Sequence, residues 1–156
     1  MALADGTKAP DFELPEGAPD NLVSLSDHRG KNVVLLFFPM AFTGVCTDEM
    51  CQVTSQLNEY SSLDAEVFGI SVNSPFTQNE WKESENIDIP LLSDFNREAI
   101  TAYDVKREEL LGLEDVADRS AFVIDKDGVI RYSWVTEDPS QLPDFDEIKS
   151  VLRDLN

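Results

Sequence analysis

The run "NVVLLFF", Asn32 to Phe38, constrains this chain more than any other stretch. A strand with one wet face alternates apolar and polar residues, whereas this run is apolar at every position after Val33, as a strand buried on both faces must be. Pro39 stops it, because proline has no N–H for the next sheet bond. The run therefore predicts a central strand covered by helices on each side, and the rest of the chain has to supply that cover.

The rest reads accordingly. "AEVFGISV", residues 65–72, is a second central strand. From Thr47 onward Met50, Val53, Leu57 and Tyr60 fall at the spacing of one helix face. Asp48 and Glu49 sit in the first turn of that helix, where carboxylates complement its dipole, and Gly44 loosens the chain before it. "SPFTQNEWKESENI" is a helix with Pro75 at its start, and "PLLSD" leads into a short helix through "NREAITAY". "RSAFVIDKDGVIRYSWV" is a hairpin turned by "DKDG", and "DFDEIKSVLRDL" is a closing amphipathic helix. Near the amino end, "FELP" and "NLVSL" are short strands either side of a turn at Gly17 to Pro19, and "SDHRGK" is a helical turn ended by Gly30. Strands alternating with helices, then a hairpin and a last helix, describe an α/β fold of the thioredoxin-like kind: a central mixed sheet flanked by helices. At 156 residues, 42% of them hydrophobic and nine of them Phe, residues 1–156 are expected to form a single domain that folds without disulfide staples.

Charge narrows the partners. Thirty-one Asp and Glu against twelve Lys and Arg leave a formal charge of −19, with no basic cluster. Nucleic acid and anionic membrane surfaces are excluded as partners, since phosphate binding needs a cationic patch. The acid is spread along the chain rather than gathered into a tail. That reads as an acidic skin adapted to high salt, where screening blunts self-repulsion. "MALADGTKAP" lacks the apolar core of a secretion signal, and no stretch approaches the roughly 18 apolar residues of a membrane span. A soluble cytoplasmic protein is expected, in a compartment that keeps thiols reduced.

Both cysteines, Cys46 and Cys51, fall in the short stretch "FFPMAFTGVCTDEMC", where the first central strand gives way to a helix. A helix amino terminus offers unpaired N–H groups and partial positive charge, which favour an anion, and Cys46 stands at that point. This makes it a candidate nucleophile. Within a helix, residues five apart rise by about 7.5 Å and differ in direction by about 140°, while a disulfide needs Cα atoms within about 7 Å. Cys46 and Cys51 can therefore pair only if the first helical turn unwinds. Gly44 and the polar "TDE" make such opening cheap, because little apolar surface need be exposed.

Pro39, Thr43 and Cys46 form the pattern P-x-x-x-T-x-x-C, and with it the chain resembles the peroxiredoxins. "GTKAPDFELP", "PLLSD" and Arg119 before "AFVIDKDGVIRY" extend the resemblance over nearly the whole chain. "FFPMAFTGVC" looks most like the alkyl hydroperoxide reductase E group, and a second cysteine five residues on is similar to the bacterioferritin comigratory protein, or Q-type, group. The resemblance implies a thiol-dependent peroxidase acting on hydrogen peroxide and organic hydroperoxides. It makes Cys46 the peroxidatic nucleophile, has the Thr43 hydroxyl and the Arg119 guanidinium hydrogen-bonding the peroxide oxygens and holding the thiolate, and makes Pro39 a shield against bulk water. On spacing alone Arg119 would be an ordinary surface ion-pair residue. Met40, Phe42 and Val45 are read as an apolar pocket rim. For Cys51 two readings stand. It resolves the Cys46 sulfenic acid as an intrachain disulfide, recycled by a thioredoxin-like donor, or it is a small packing residue and a low-molecular-weight thiol is the reductant. The family implies no cofactor and commonly pairs as homodimers.

Other readings fit less well. A thioredoxin-type reductase expects C-x-x-C, not the spacing found here. A metal module would need His28, read as a solvated turn residue, together with a fourth ligand that is not evident. "DKDG" lacks the spaced acidic ligands of a calcium loop.

Overall fold

A computed structural model describes residues 2–156. Strand β3 (Asn32–Phe37) is buried at every position, as its composition requires. Its side chains alternate between two cores. Val33, Leu35 and Phe37 enter one, and Val34, Leu36 and the following Phe38 enter the other. That alternation is why the run can have no polar face.

Around β3 a seven-stranded sheet is built in the order β2-β1-β5-β4-β3-β8-β9. Strand β4 (Ala65–Ser71) runs parallel to β3, and β5 (Leu91–Ser93) continues parallel beyond it. Strands β8 (Ser120–Ile124) and β9 (Ile130–Val135) form an antiparallel hairpin on the far side of β3. A second hairpin, β1 (Glu13–Glu16) and β2 (Ala18–Ser24), closes the opposite edge and turns at Gly17, whose φ of +74° suits glycine. The sheet is mixed, and the fold is thioredoxin-like, as expected.

The two faces are covered unequally. Helices α1 (Gly44–Ser55), α2 (Leu57–Ser62), α3 (Pro75–Glu85) and α5 (Phe145–Leu155) pack on one face, through Met50, Val53, Tyr60, Trp81, Ile148 and Leu152. The other face holds the short α4 (Glu98–Ala102). Tyr103 and Leu25, with part of the hairpin formed by β6 (Lys106–Leu110) and β7 (Leu113–Ala117), complete that core. Helices thus cover both faces as expected, broadly on one and through the short α4 and the turn at Leu25–His28 on the other, where the aromatic pairs Phe37–Tyr103 and Tyr103–Phe122 fill much of the core.

Two local expectations need correction. The helix after β3 begins at Gly44 rather than Thr47, because Thr43, extended at φ −99° and ψ 152°, is its N-cap and its carbonyl accepts the first bond, from Thr47 N at 2.9 Å. Glu49 therefore lies past the first turn and is fully buried, so it is no dipole partner. His28 is not a solvated turn residue: Nδ1 meets the Glu66 carboxylate, and its ring lies 5.0 Å from that of Phe68. The "DKDG" turn behaves as read. The Asp125 carboxylate accepts from the N–H groups of Asp127 and Val129 and from Arg131 Nε, which leaves it committed to the turn. Among the described residues no group of side chains is arranged to hold a metal ion, and no helix is long and apolar enough to cross a membrane.

Candidate active site

The loop between β3 and α1 sets the site. Pro39 is buried at its start, and Phe42 takes a left-handed backbone (φ +66°) that turns the chain into the helix. As a result Phe42 is 54% exposed and its ring faces Trp81 rather than the pocket. Met40 and Val45 do line the pocket, so of the three rim residues expected from the sequence only Phe42 is displaced.

Cys46 is the third residue of α1, inside the first turn, where backbone N–H groups lack helical partners. It is 1% exposed. Arg119, from the link between β7 and β8, is 2% exposed and is held by three acceptors at once. Its Nη2 donates to Cys46 Sγ at 3.2 Å, its Nη1 to Glu49 Oε1 at 2.6 Å, and its Nε to the Pro139 carbonyl at 3.0 Å. Three bonds from one planar group leave the guanidinium no rotational freedom. Burial opposes its charge, but the Glu49 carboxylate and Cys46 outweigh that and raise its pKa further. The sulfur therefore faces a fixed full positive charge.

Glu49 was not foreseen as part of the site. Burial pushes its carboxyl up to about 7, against the pull of Arg119. Oε2 has no hydrogen-bond partner among the described residues. The signal was present in the sequence, because Glu49 follows Cys46 by three residues and so shares its helix face. It was obscured by starting the helix three residues late.

Thr43 is exposed, and its hydroxyl donates to the Met40 carbonyl at 2.7 Å, leaving oxygen lone pairs toward the pocket mouth. The structure thus places Cys46 and Arg119 in contact, with Pro39 and Thr43 on the wall of the same cavity. That cavity, of about 320 Å³, is mostly apolar, and its outer wall is the β6–β7 hairpin with Leu110, Leu111 and Leu113. Sequence reading missed this wall, although "ELLGLE" with Gly112 at its turn carries the hairpin signal.

Cys51 lies five residues on in the same unbroken helix. Both thiols are free. Its sulfur points to the Glu85 carbonyl on α3, at 3.9 Å, not toward Cys46. Burial and the nearby carboxylates of Glu85 and Asp48 push the Cys51 thiol pKa up.

A buried thiol faced by a locked guanidinium, at the head of a helix on a thioredoxin-like sheet and open to an apolar cavity, has the parts that nucleophilic thiol chemistry on a small substrate needs. Comparison with known proteins narrows that chemistry. Residues 6–133 match the model of the AhpC/TSA family. The alkyl hydroperoxide reductase E of Mycobacterium bovis is 38% identical over 142 residues, 89% of each chain, and the peroxiredoxin Bcp of Bacillus subtilis is 36% identical over 86% of each. Among solved structures, Mycobacterium tuberculosis AhpC superposes with a TM-score of 0.87 at 27% identity, over 99% of this chain and 94% of that one. The peroxidoxin BcpB of the same organism gives 0.84 at 31%, over 97% of each. The chain belongs to the AhpC/TSA family of peroxiredoxins and is a thiol-dependent peroxidase.

Proposed function

We propose that residues 1–156 act as one peroxidase domain in which Cys46 is the peroxidatic thiol, and that Cys51 resolves its oxidised form. The observation that carries the first part is the Arg119 Nη2 contact with Cys46 Sγ at 3.2 Å inside an apolar cavity. The Cys46 thiolate attacks one peroxide oxygen as the O–O bond breaks. The other oxygen leaves as RO⁻ and is protonated to ROH, while the sulfur becomes sulfenic acid. Negative charge moves from sulfur to the leaving oxygen, and the fixed Arg119 guanidinium stabilises that charge, while the Thr43 hydroxyl, whose hydrogen is on the Met40 carbonyl, must first rotate to donate. The hydrocarbon wall suits an organic hydroperoxide as well as hydrogen peroxide.

In the second step the Cys51 thiolate attacks the Cys46 sulfenic sulfur, water leaves and the disulfide forms. A thioredoxin-like dithiol then reduces it, itself becoming a disulfide. The chain is read as cytoplasmic, where such donors are kept reduced, and as salt-adapted. It is also read as a homodimer, since Phe42, Phe76 and Phe95 are each more than half exposed and Phe76 and Phe95 line one groove.

The test is a stopped-flow titration of reduced protein with hydrogen peroxide, counting free thiols afterwards. Loss of two thiols per chain, abolished by Cys46→Ser and reduced to one by Cys51→Ser, is the expected result. Loss of one thiol in the unaltered protein would leave Cys46 as the peroxidase and make an external thiol the reductant. No fast loss would refute the assignment of Cys46.

A further inference from the structure

The loop that delivers Cys46 has little regular structure of its own between Phe37 and Gly44, yet every function assigned to the site depends on where it stands. Phe38 N still donates to the Ile70 carbonyl of β4 at 3.0 Å, as the last backbone bond between the two strands. Beyond that point the neighbouring strand turns away, and a side chain takes over. Asn73 Oδ1 accepts from the N–H of Ala41 at 2.9 Å, and Asn73 Nδ2 donates to Met40 Sδ at 3.0 Å. The amide group thus grips two consecutive residues of the loop, directly before the left-handed Phe42 and the N-cap Thr43.

Asn73 is itself fixed from three sides. Ser71 hydroxyl donates to its Oδ1 at 2.8 Å, and Ser93 hydroxyl to its backbone carbonyl at 2.6 Å. Gln78, 1% exposed, donates through Nε2 to Ser71 Oγ and to the Leu92 carbonyl, each at 2.9 Å. Strands β4 and β5 and helix α3 therefore hold the Asn73 amide in one orientation, and that amide holds the loop. The acceptor and the donor are separate atoms, each reaching a different loop residue, so the amide spans the loop in a way that a single hydroxyl oxygen or an aliphatic side chain cannot copy.

We infer that Asn73 is a positioning residue of the peroxidase reaction: its side-chain amide sets the Met40–Thr43 loop and thereby the placement of the Thr43 hydroxyl and Cys46 relative to Arg119. This rests on the reading of Cys46 as the reacting thiol. Misplacement by about 1 Å is enough to cost about a hundredfold in rate for a reaction that depends on alignment. Simple alkylation of the same sulfur needs no aligned donors and does not share that dependence.

The experiment compares Asn73→Leu, nearly isosteric but without either bond, and Asn73→Ala with Asn73→Asp, which keeps the acceptor for Ala41 and Ser71. Stopped-flow rates with hydrogen peroxide are set beside rates of Cys46 alkylation by iodoacetamide in a Cys51→Ser background, with thermal unfolding as the check of fold. The expected result is a peroxide rate at least about tenfold lower in the Leu and Ala variants, unchanged alkylation, and substantial rescue in the Asp variant. A folded Leu or Ala variant with an unchanged peroxide rate overturns the inference. So does a parallel rise in alkylation, which would mean that Cys46 has simply become exposed. If neither truncation folds, the network holds the domain together rather than the loop, and the inference falls. A wild-type Cys46 that reacts slowly with peroxide would instead defeat the reading of Cys46, before any variant is compared.

Discussion

Glu49→Gln offers the most direct probe of the site's electrostatics, because it removes a charge and little else. The carboxylate is fully buried, with Oε1 on Arg119 and Oε2 unpartnered among the described residues. Burial lifts its pKa from the ordinary 4.5 to about 7, even with the guanidinium beside it. A carboxyl whose pKa is raised by folding binds its proton more tightly in the native state, so its contribution to stability is fully present below the unfolded value. It is lost as pH rises through the folded one. At about 1.4 kcal/mol per pH unit, the interval from 4.5 to about 7 corresponds to about 3 kcal/mol lost from the wild type across that window. Glutamine is neutral throughout and cannot contribute this slope. The assay is urea unfolding of reduced protein at half-unit steps from pH 4 to 8, at fixed high salt, plotted as the difference between variant and wild type. The other carboxylates titrate in both proteins and cancel. The level of the difference curve reflects what Gln does for Arg119, but its slope isolates Glu49. Parallel stability curves between pH 4.5 and 7 would refute the reasoning, because they would mean that Glu49 is ionised throughout and fully compensated by Arg119.

Three further outcomes follow from the same structure. Arg119→Lys keeps the charge but cannot span Cys46, Glu49 and Pro139 together, so the second-order rate of Cys46 with peroxide should fall by about a hundredfold or more, measured by stopped flow. A fall of less than threefold would show that charge alone suffices. Gly69→Ala places a Cβ 2.8 Å from Leu91 Cδ2 and 3.1 Å from Met50 Sδ; unfolding free energy should drop by about 1–3 kcal/mol in denaturant titration. Raising potassium chloride from 0.1 M to 1 M shortens the screening length from about 10 Å to about 3 Å, so a chain with net charge −19 should gain thermal stability over that range. A flat response would remove self-repulsion as the limit on stability.

Periodicity carried the sheet and failed at particular places. β3, β4 and the β8–β9 hairpin are readable because their patterns are strong: an uninterrupted apolar run in β3, a mostly apolar run interrupted by Glu66 in β4, and two runs about a tight turn in the hairpin. The start of α1 was misplaced because Thr43 caps through its backbone carbonyl while its own hydroxyl points to Met40, so no capping side chain marks the boundary. That three-residue error hid Glu49 among surface acids, in a chain where acids are too common for one to stand out. Cys46 was legible as a candidate nucleophile from its place at the helix head, whereas Thr43 and Arg119 were named from resemblance; 73 residues separate Cys46 from Arg119 along the chain, so no local pattern could join them. Asn73 was invisible for another reason: an Asn after a strand reads as turn chemistry, and only the third dimension shows that its amide serves a different loop.

If Cys51 resolves Cys46, as proposed above, the placement of the two cysteines in one helix limits how that step can proceed. Glu49 lies between Cys46 and Cys51 in the same helix, so the turn that would bring the sulfurs together also carries the carboxylate. Closing a Cys46–Cys51 disulfide withdraws Cys46 from Arg119 Nη2 and displaces Glu49 from Nη1, which strips the guanidinium of two of its three partners. Breaking a buried ion pair by removing one partner is strongly unfavourable when the other charge stays buried, so Arg119 must gain solvent or Glu49 must keep its proton as the helix opens. The Thr47 contacts also have to part: N–H and hydroxyl to the Thr43 carbonyl, and the Trp81 indole N–H to the Thr47 hydroxyl. Met50 lies inside that segment and, like Cys46, is fully buried in the core, so core packing as well as polar contacts opposes the opening, which costs more apolar exposure than Gly44 and the polar "TDE" suggest. The reduced helix is therefore held shut by its packing, its hydrogen bonds and one buried ion pair together.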